Sequence, residues 1–266
     1  MMVRGALLSR PAAGRIVAAA ARGTAGNSAP AHLTSDGQAR WDVSCIIHEA
    51  AGMKQQDSKG KGREGYHHGN LREALVQAAL AMIAERGVPG FAIAELARIL
   101  GVSAAAPYRH FRDRDALLAE LARRGFEGLE ADLANAAKAA GANPVTALER
   151  CAQAHLAFAG REAAVYSTMF DQQLPISAHP EVLAAREAAF QVLRRVADTA
   201  CDHSHAPRRP PPHMVALHVW SMTHGIASLF LGKDGEASGR LPMSPADLLE
   251  AGLLVYLQSL DLPTEQ

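Results

Sequence analysis

The chain has 266 residues, enough for one or two domains with a sizeable core. Its 27 basic and 27 acidic side chains cancel, so a globally basic nucleic-acid binder is excluded and any basic footprint has to be local. Three widely spaced cysteines, Cys45, Cys151 and Cys201, form no C-x-x-C pair; they argue against a disulfide scaffold and for a reducing, cytoplasmic setting.

Residues 1–65 are rich in Ala, Gly and Ser and lack an acidic residue before Asp36. Without sustained periodicity they are expected to be a disordered or spurious extension. Arg4, Arg10, Arg15 and Arg22 also fit an organellar presequence, but Gly and Pro break the amphipathic helix it needs. Met53 opens a Lys-rich lead-in and is an alternative start. Its Lys54, Lys59, Lys61 and Arg63 read either as a solvated tail or as an arm against phosphates.

From Asn70 the texture changes. Asn70 and Glu73 have capping-box spacing, Leu71, Leu75, Ala78, Met82 and Ile83 recur at helical intervals, and Gly87 supplies a left-handed stop. A short helix over 93–100 follows, with Ala92 where a capping Ser or Thr would be worth about 1 kcal/mol. Gly101 to Ser103 turn the chain, and a third helix is expected from about Ala104 to His110 with Ser103 as its cap. Asp113 caps a fourth, whose apolar stripe is Leu117, Leu118, Leu121, Phe126, Leu129 and Leu133. Further helices are expected over 144–159, 162–171, 180–202, 212–231 and 245–260, the last capped by Ser244 with Pro245 and Asp247 in its first turn. No strand signal is evident, and the fold class is all-α.

The segment from Pro210 to Gly232 lacks Lys, Arg, Asp and Glu and is nearly long enough to cross a bilayer. Three prolines, His213, His218, His224, Ser221 and Thr223 put too many polar groups in it for hydrocarbon, so a buried interface helix is expected and no membrane partner. Cys201, His203 and His205 could ligate a metal, but they crowd only three donors at a helix end, and no metal site is assigned. No glycine-rich phosphate loop follows a strand, and no nucleophile motif occurs; neither a cofactor nor an enzyme activity is called for.

Residues 93–111 have helix-turn-helix spacing. Ala97 is small where two helices cross, Gly101 can take positive φ in the turn, and Leu96, Leu100 and Val102 face a small core. The alanine-led third helix would fit a groove about 12 Å wide. Tyr108, Arg109 and His110 would donate to phosphates or base edges, and Phe111 would anchor the far end. A plain helical corner has the same spacing.

Residues 66–118, with the "ELARILGVS", "YRHF" and "RDRDALL" runs, resemble the amino-terminal domain of the TetR family of transcriptional regulators. "APYRHF" together with Trp220, His224 and Gly225 of "WSMTHG" resembles a subgroup with a Trp-x-x-x-His-Gly carboxy-terminal domain. The resemblance implies about nine helices. A three-helix helix-turn-helix domain over 66–118 would be followed by a ligand-binding and dimerising domain over 119–262. It further implies a homodimer on a palindromic double-stranded operator, acting as a repressor released by a small-molecule effector. Ser103, Ala104 and Ala105 would open the reader helix, Tyr108 and His110 would lie near phosphates beside Arg109, and Arg114 stands where the family usually has a phosphate-binding lysine. Pro107 replaces the family's usual leucine, matching the subgroup.

For an effector, Phe158, Tyr166, Met169, Phe170 and Phe190, with Met222, would line an apolar cavity; Trp220 and His224 stand beside it or form a core or dimer-face pair. The same spacing is what a helical core requires. A helical small-molecule or metal-binding protein that does not bind DNA is the alternative reading. The effector, the operator and the sign of regulation are not legible.

Overall fold

The computed structural model describes residues 32–33, 39–40, 68–204, 210–231 and 243–260, and the chain divides into two units, Met1–Asp57 and Ser58–Gln266. In the first unit His32–Leu33 (β1) pairs antiparallel with Ala39–Arg40 (β2). Strands of two residues are too short for alternation to register in a sequence, which is why no strand was expected there. The expectations for Met53, the basic lead-in, Cys45 and His205 lie outside the described residues.

The second unit is helical throughout its described residues. Its first helix, α1 (His68–Arg86), begins before Asn70, so Asn70 lies inside the helix and not at the expected cap position. Glu73 is used elsewhere, accepting from Gln77 of its own helix and from Arg124. Gly87 stops α1 at φ 73°, a left-handed backbone that glycine adopts without strain. A 3-10 turn over Val88–Gly90 leads to α2 (Ile93–Ile99), whose cap residue Ala92 makes no side-chain bond, as its methyl requires.

Gly101, at φ 64°, ends α2 in a Schellman arrangement: Val102 N–H donates to the Ala97 carbonyl at 3.0 Å and Gly101 N–H to that of Arg98 at 3.3 Å. Ala97 and Leu96 are buried beneath it, with Leu100 half-buried.

The 26-residue α3 (Arg114–Ala139) starts where Asp113 accepts the Ala116 amide at 2.8 Å, a cap worth about 1 kcal/mol. All six residues of its expected stripe are buried. The expected domain boundary near 118 falls inside this helix, which runs from the reader segment into the carboxy-terminal core. There it packs against α4 (Pro144–Arg161), α5 (Ala163–Met169) and α6 (Pro180–Asp202). The layer is completed by α7 (Pro212–Leu231) on α6 and α4, and by α8 (Pro245–Gln258) on α7. Ser244 and Asp247 close the full capping box on α8. Buried side chains from α1 to α8 form one continuous apolar cluster.

Among the described residues no helix is long and apolar enough to cross a membrane. The helices α7 and α8 approach closely at Gly252. A side chain at Gly252 would meet Met222 Sδ at 2.8 Å, whereas one at Gly225 would meet nothing within 4 Å.

Candidate functional site

The reader segment is wound more tightly than expected. In place of an α-helix over 104–110, residues 104–106 form a turn and Pro107–Arg109 a 3-10 helix. Pro107 is the cause, because it has no amide to donate to the carbonyl four residues back. The remaining donors take short steps: Ala106 N–H to Ser103 O at 2.9 Å, Arg109 N–H to Ala106 O at 3.2 Å, and His110 N–H to Pro107 O at 3.0 Å. Ser103 thus contributes its carbonyl, and no side-chain cap forms on the turn.

Exposure sorts these residues cleanly. Ser103, Ala104, Ala105 and Arg109 are exposed, Tyr108 is 48% exposed, and His110 is half-buried. Pro107 and Phe111 are buried underneath. A small-residue turn followed by donors therefore faces outward on an apolar base. Arg98 and Arg112 add exposed cations nearby in sequence, each in an ion pair, with Glu95 at 2.9 Å and Asp113 at 2.8 Å.

Arg114 turns inward. Its Nη2 donates to the Val88 carbonyl at 2.8 Å and its Nε to that of Phe91 at 3.2 Å, with the guanidinium 5.8 Å from the Phe91 ring centre. These donors hold the α1–α2 connection to the start of α3.

In the carboxy-terminal layer the expected lining residues separate into groups. Tyr166, Phe170, Phe190, Trp220 and His224 come together: ring centres lie 4.8 Å apart for Tyr166 and Phe170, 4.2 Å for Phe170 and His224, and 5.8 Å for Phe190 and Trp220. Phe158 faces Gly128 and the Arg161 guanidinium, Met169 lies against Gly125, and Met222 lies against Gly252. A separate groove, lined by Ala134, Ala137, Val192, Arg195, Val196 and Thr199, holds none of the expected residues.

Two residues of the cluster were missed by the sequence reasoning. Phe126 packs edge-on to Phe170 at 5.6 Å. His155, 2% exposed, stands 4.7 Å from the Trp220 ring centre. The signal for His155 was present: it shares the apolar face of α4 with Leu148, Cys151, Ala152 and Ala159 at helical spacing.

His155 also completes a buried polar chain. Its Nε2 lies 3.1 Å from the Tyr166 hydroxyl, which lies 2.8 Å from His224 Nδ1. With one proton, the hydroxyl donates to one imidazole and accepts from the other. Burial pushes the Tyr166 phenol up and the His224 imidazole down. Burial first, and the neighbouring His224 second, bring His155 down to about 3 from 6.5. All three groups are therefore neutral near pH 7, and the site offers hydrogen bonds without charge.

That neutrality has a measurable consequence. Above pH 6.5 neither the folded nor the unfolded chain holds a proton on His155, and its titration costs nothing. As the pH falls from 6.5 toward 3 only the unfolded chain takes one up, so stability drops by up to about 1.4 kcal/mol per pH unit. Chemical denaturation at pH 7 and pH 5 is expected to differ by about 2 kcal/mol through this group. In His155→Gln that difference should shrink; an unchanged pH dependence would show that His155 is protonated in the folded chain.

Cys201 is buried with Sγ 3.7 Å from the Pro210 carbonyl, and His203 Nδ1 lies 2.7 Å from the Thr199 carbonyl. Among the described residues no group of three ligating side chains could hold a metal ion.

Two family models match this architecture. "Bacterial regulatory proteins, tetR family" matches residues 75–121, and "Tetracyclin repressor-like, C-terminal domain" matches residues 148–256. A solved structure of a protein with unknown function from Rhodococcus sp. RHA1 is 30% identical, with a TM-score of 0.63, and the match covers 75% of this chain and 100% of that one. The TetR family transcriptional regulator PfmR from Thermus thermophilus shares the fold at 22% identity and TM-score 0.56, over 69% of this chain and 97% of its own. So does the ketosteroid transcriptional regulator KstR2 of Mycobacterium tuberculosis, at 18% identity and TM-score 0.55, over 77% and 98%. No curated protein matches the chain. A helix-turn-helix with an outward reader segment and a helical carboxy-terminal layer, matched by both models, assigns the chain to the TetR family of DNA-binding transcriptional regulators.

Proposed function

We propose that the protein is a homodimeric repressor that binds a roughly palindromic operator and leaves it when a small molecule occupies the carboxy-terminal layer. The observation that carries this reading is the sorting of the reader segment, with Ser103, Ala104, Ala105, Tyr108 and Arg109 outward over buried Pro107 and Phe111. Ser103 to Ala105 enter the major groove; Tyr108, Arg109 and His110 donate to phosphates and base edges. Arg114, which donates to the Val88 and Phe91 carbonyls, holds the reader domain in place.

The second copy docks on α7 and α8. Their outer faces carry Met214, Leu217, Leu229, Leu254 and Val255, all exposed, and α7 has no charged residue in its whole length. An uncharged helix that leaves large apolar side chains exposed favours a protein interface over open solvent. The open Gly225 lies on the same helix. Trp220, His224 and Gly225 support placement in the Trp-x-x-x-His-Gly subgroup. In this reading residues 66–118 are the reader domain and residues 119–262 the effector and dimer domain.

The effector sits against Phe170, Phe190, Trp220 and His224, where half-buried ring faces meet the neutral His155–Tyr166–His224 chain. Phe158, Met169 and Met222 stand in the wall behind. An effector lowers operator affinity by its differential affinity for the released and bound conformations, and by no more.

Selection of duplex fragments from genomic DNA at a fixed salt concentration tests the reading. The wild-type chain is expected to enrich a two-fold symmetric site and to bind it with a steep salt dependence. Arg109→Ala should reduce the slope of log K against log salt by about one while leaving the dimer intact. Failure to retain any duplex would instead favour a helical small-molecule-binding protein.

A further inference from the structure

One carboxylate organises the contact between α1 and α3. Glu120, 9% exposed, accepts from Arg72 Nη1 at 2.9 Å, from Arg124 Nε at 2.8 Å and from Arg123 Nε and Nη2 at 3.1 Å. Arg124 continues to Glu73 and Arg123 to Glu127, so three guanidiniums and three carboxylates close a neutral network. Burial works against the charge on Glu120, but hydrogen bonds from Arg72, Arg124 and Arg123 outweigh it and hold the carboxyl down to about 2. It is ionised at every pH at which the chain would function.

Arg72 stands apart from the other two guanidiniums in that it comes from α1 and its second contact is an aromatic ring. Its Cζ stands 5.0 Å from the centre of the Phe111 ring. Phe111 is the buried base of the reader segment, and its amide donates to the Pro107 carbonyl at 3.0 Å. A continuous path therefore runs from the Glu120 carboxylate through the Arg72 guanidinium and the Phe111 ring to the reader backbone. Apolar packing alone would leave the ring free to slide, because it has no direction. A planar guanidinium held by a carboxylate has one, because its flat face lies on the ring while its edge donates to the acid, a fixed geometry that a lysine ammonium does not reproduce.

We propose that Arg72 and Glu120 are a positioning pair for DNA binding, fixing the reader segment's orientation on α3 without touching the duplex. The proposal rests on the DNA-binding reading above. The reader segment reaches α3 through only Arg112 and Asp113, so rotation about this short link is what the pair restrains. The pair is separated by 48 residues and ties the first helix of the reader domain to α3 just past that domain's boundary.

Fluorescence anisotropy with the selected duplex, over a series of salt concentrations, tests it with E120Q, R72M, R72K and the double variant R72M/E120Q. Affinity is expected to fall about tenfold in each, within the range typical of a coupling between sites. The salt slope and the dimer mass should stay as in the wild type, and the double variant should bind no more weakly than either single one. R72K should fail to restore affinity although its charge is kept. A salt slope reduced by about one in R72M would make Arg72 a phosphate contact and overturn the proposal. So would wild-type affinity in E120Q, or additive losses in the double variant. If E120Q loses its helical circular dichroism, R72M, at a half-exposed position, decides the matter by the same slope and affinity. A wild-type chain that binds no duplex overturns the DNA-binding reading itself, whereas equal binding by wild type and variants overturns only the positioning pair.

Discussion

Ala104→Asp is expected to weaken binding to the selected duplex about a hundredfold while leaving the fold and the dimer unchanged. Ala104 is exposed at the leading edge of the reader turn, with Ser103 and Ala105 on either side. A carboxylate there replaces the smallest apolar side chain with a charge facing DNA phosphates, and it lengthens the side chain where the backbone has to come close. Losing one well-placed base contact costs about 1–3 kcal/mol, and an unpaired desolvated charge adds a further cost of similar size. Together these amount to about two decades of affinity at roughly 1.4 kcal/mol per decade. The turn's own hydrogen bonds run through backbone groups, so the substitution removes none of them. An anisotropy titration in which Ala104→Asp binds within threefold of wild type would show that this turn does not enter a groove.

Much of this architecture is legible in local chemistry. Gly87 and Gly101 were expected to take left-handed backbone because a helix stop and a sharp turn require it, and both do. Asp113 and Ser244 cap as expected, since their bonding partners lie three residues away. The bounds of α6 and α7 agree with the proline-marked breaks. Local reasoning failed where a competing local term was weighed too lightly. The α-helix expected over 104–110 gave too little weight to Pro107, whose missing amide converts the segment to 3-10 winding. Asn70 was given a cap because of its residue type, but the backbone is already helical at His68.

The site was less legible than the fold, because its decisive contacts are remote in sequence. Tyr166 meets His224 from 58 residues away, and Arg72 meets Glu120 from 48. Periodicity shows which face of a helix is buried, and it does not show which other face is opposite. Phe158 and Met222 were therefore grouped with Tyr166 on apolar character alone, although they pack toward Gly128 and Gly252. The dependence on tertiary contact also explains His155: a lone histidine on an apolar face announces burial, and only the fold supplies the hydroxyl that satisfies it.

Gly125→Val is expected to lower the melting temperature by about 5–10 °C, and Gly160→Ala to raise it slightly. Both glycines lie inside helices, so a side chain at either lowers the entropy of the unfolded chain, by about 0.5–1 kcal/mol for alanine. What differs is the space. A Cβ at Gly160 meets nothing within 4 Å, so the entropic gain stands alone. At Gly125 the Cβ would stand 2.6 Å from both Met169 Sδ and Val165 Cγ1, about 1 Å inside ordinary contact. Met169 is completely buried and cannot swing out, so α5 has to move off α3. Overpacking of this kind costs about 1–3 kcal/mol, which in a chain of this size moves the midpoint by about 2–4 °C per kcal/mol. The displacement reaches the aromatic cluster as well, because α5 carries Tyr166 and α5 packs on α1. Trp220 emission, read in a Trp41→Phe background and sensitive to His155 and Phe190 beside it, should therefore shift in Gly125→Val and stay unchanged in Gly160→Ala. A Gly125→Val protein with the wild-type midpoint and the wild-type Trp220 spectrum would mean that α5 does not rest on α3 at this glycine, and that the Tyr166 hydrogen bonds are held from elsewhere.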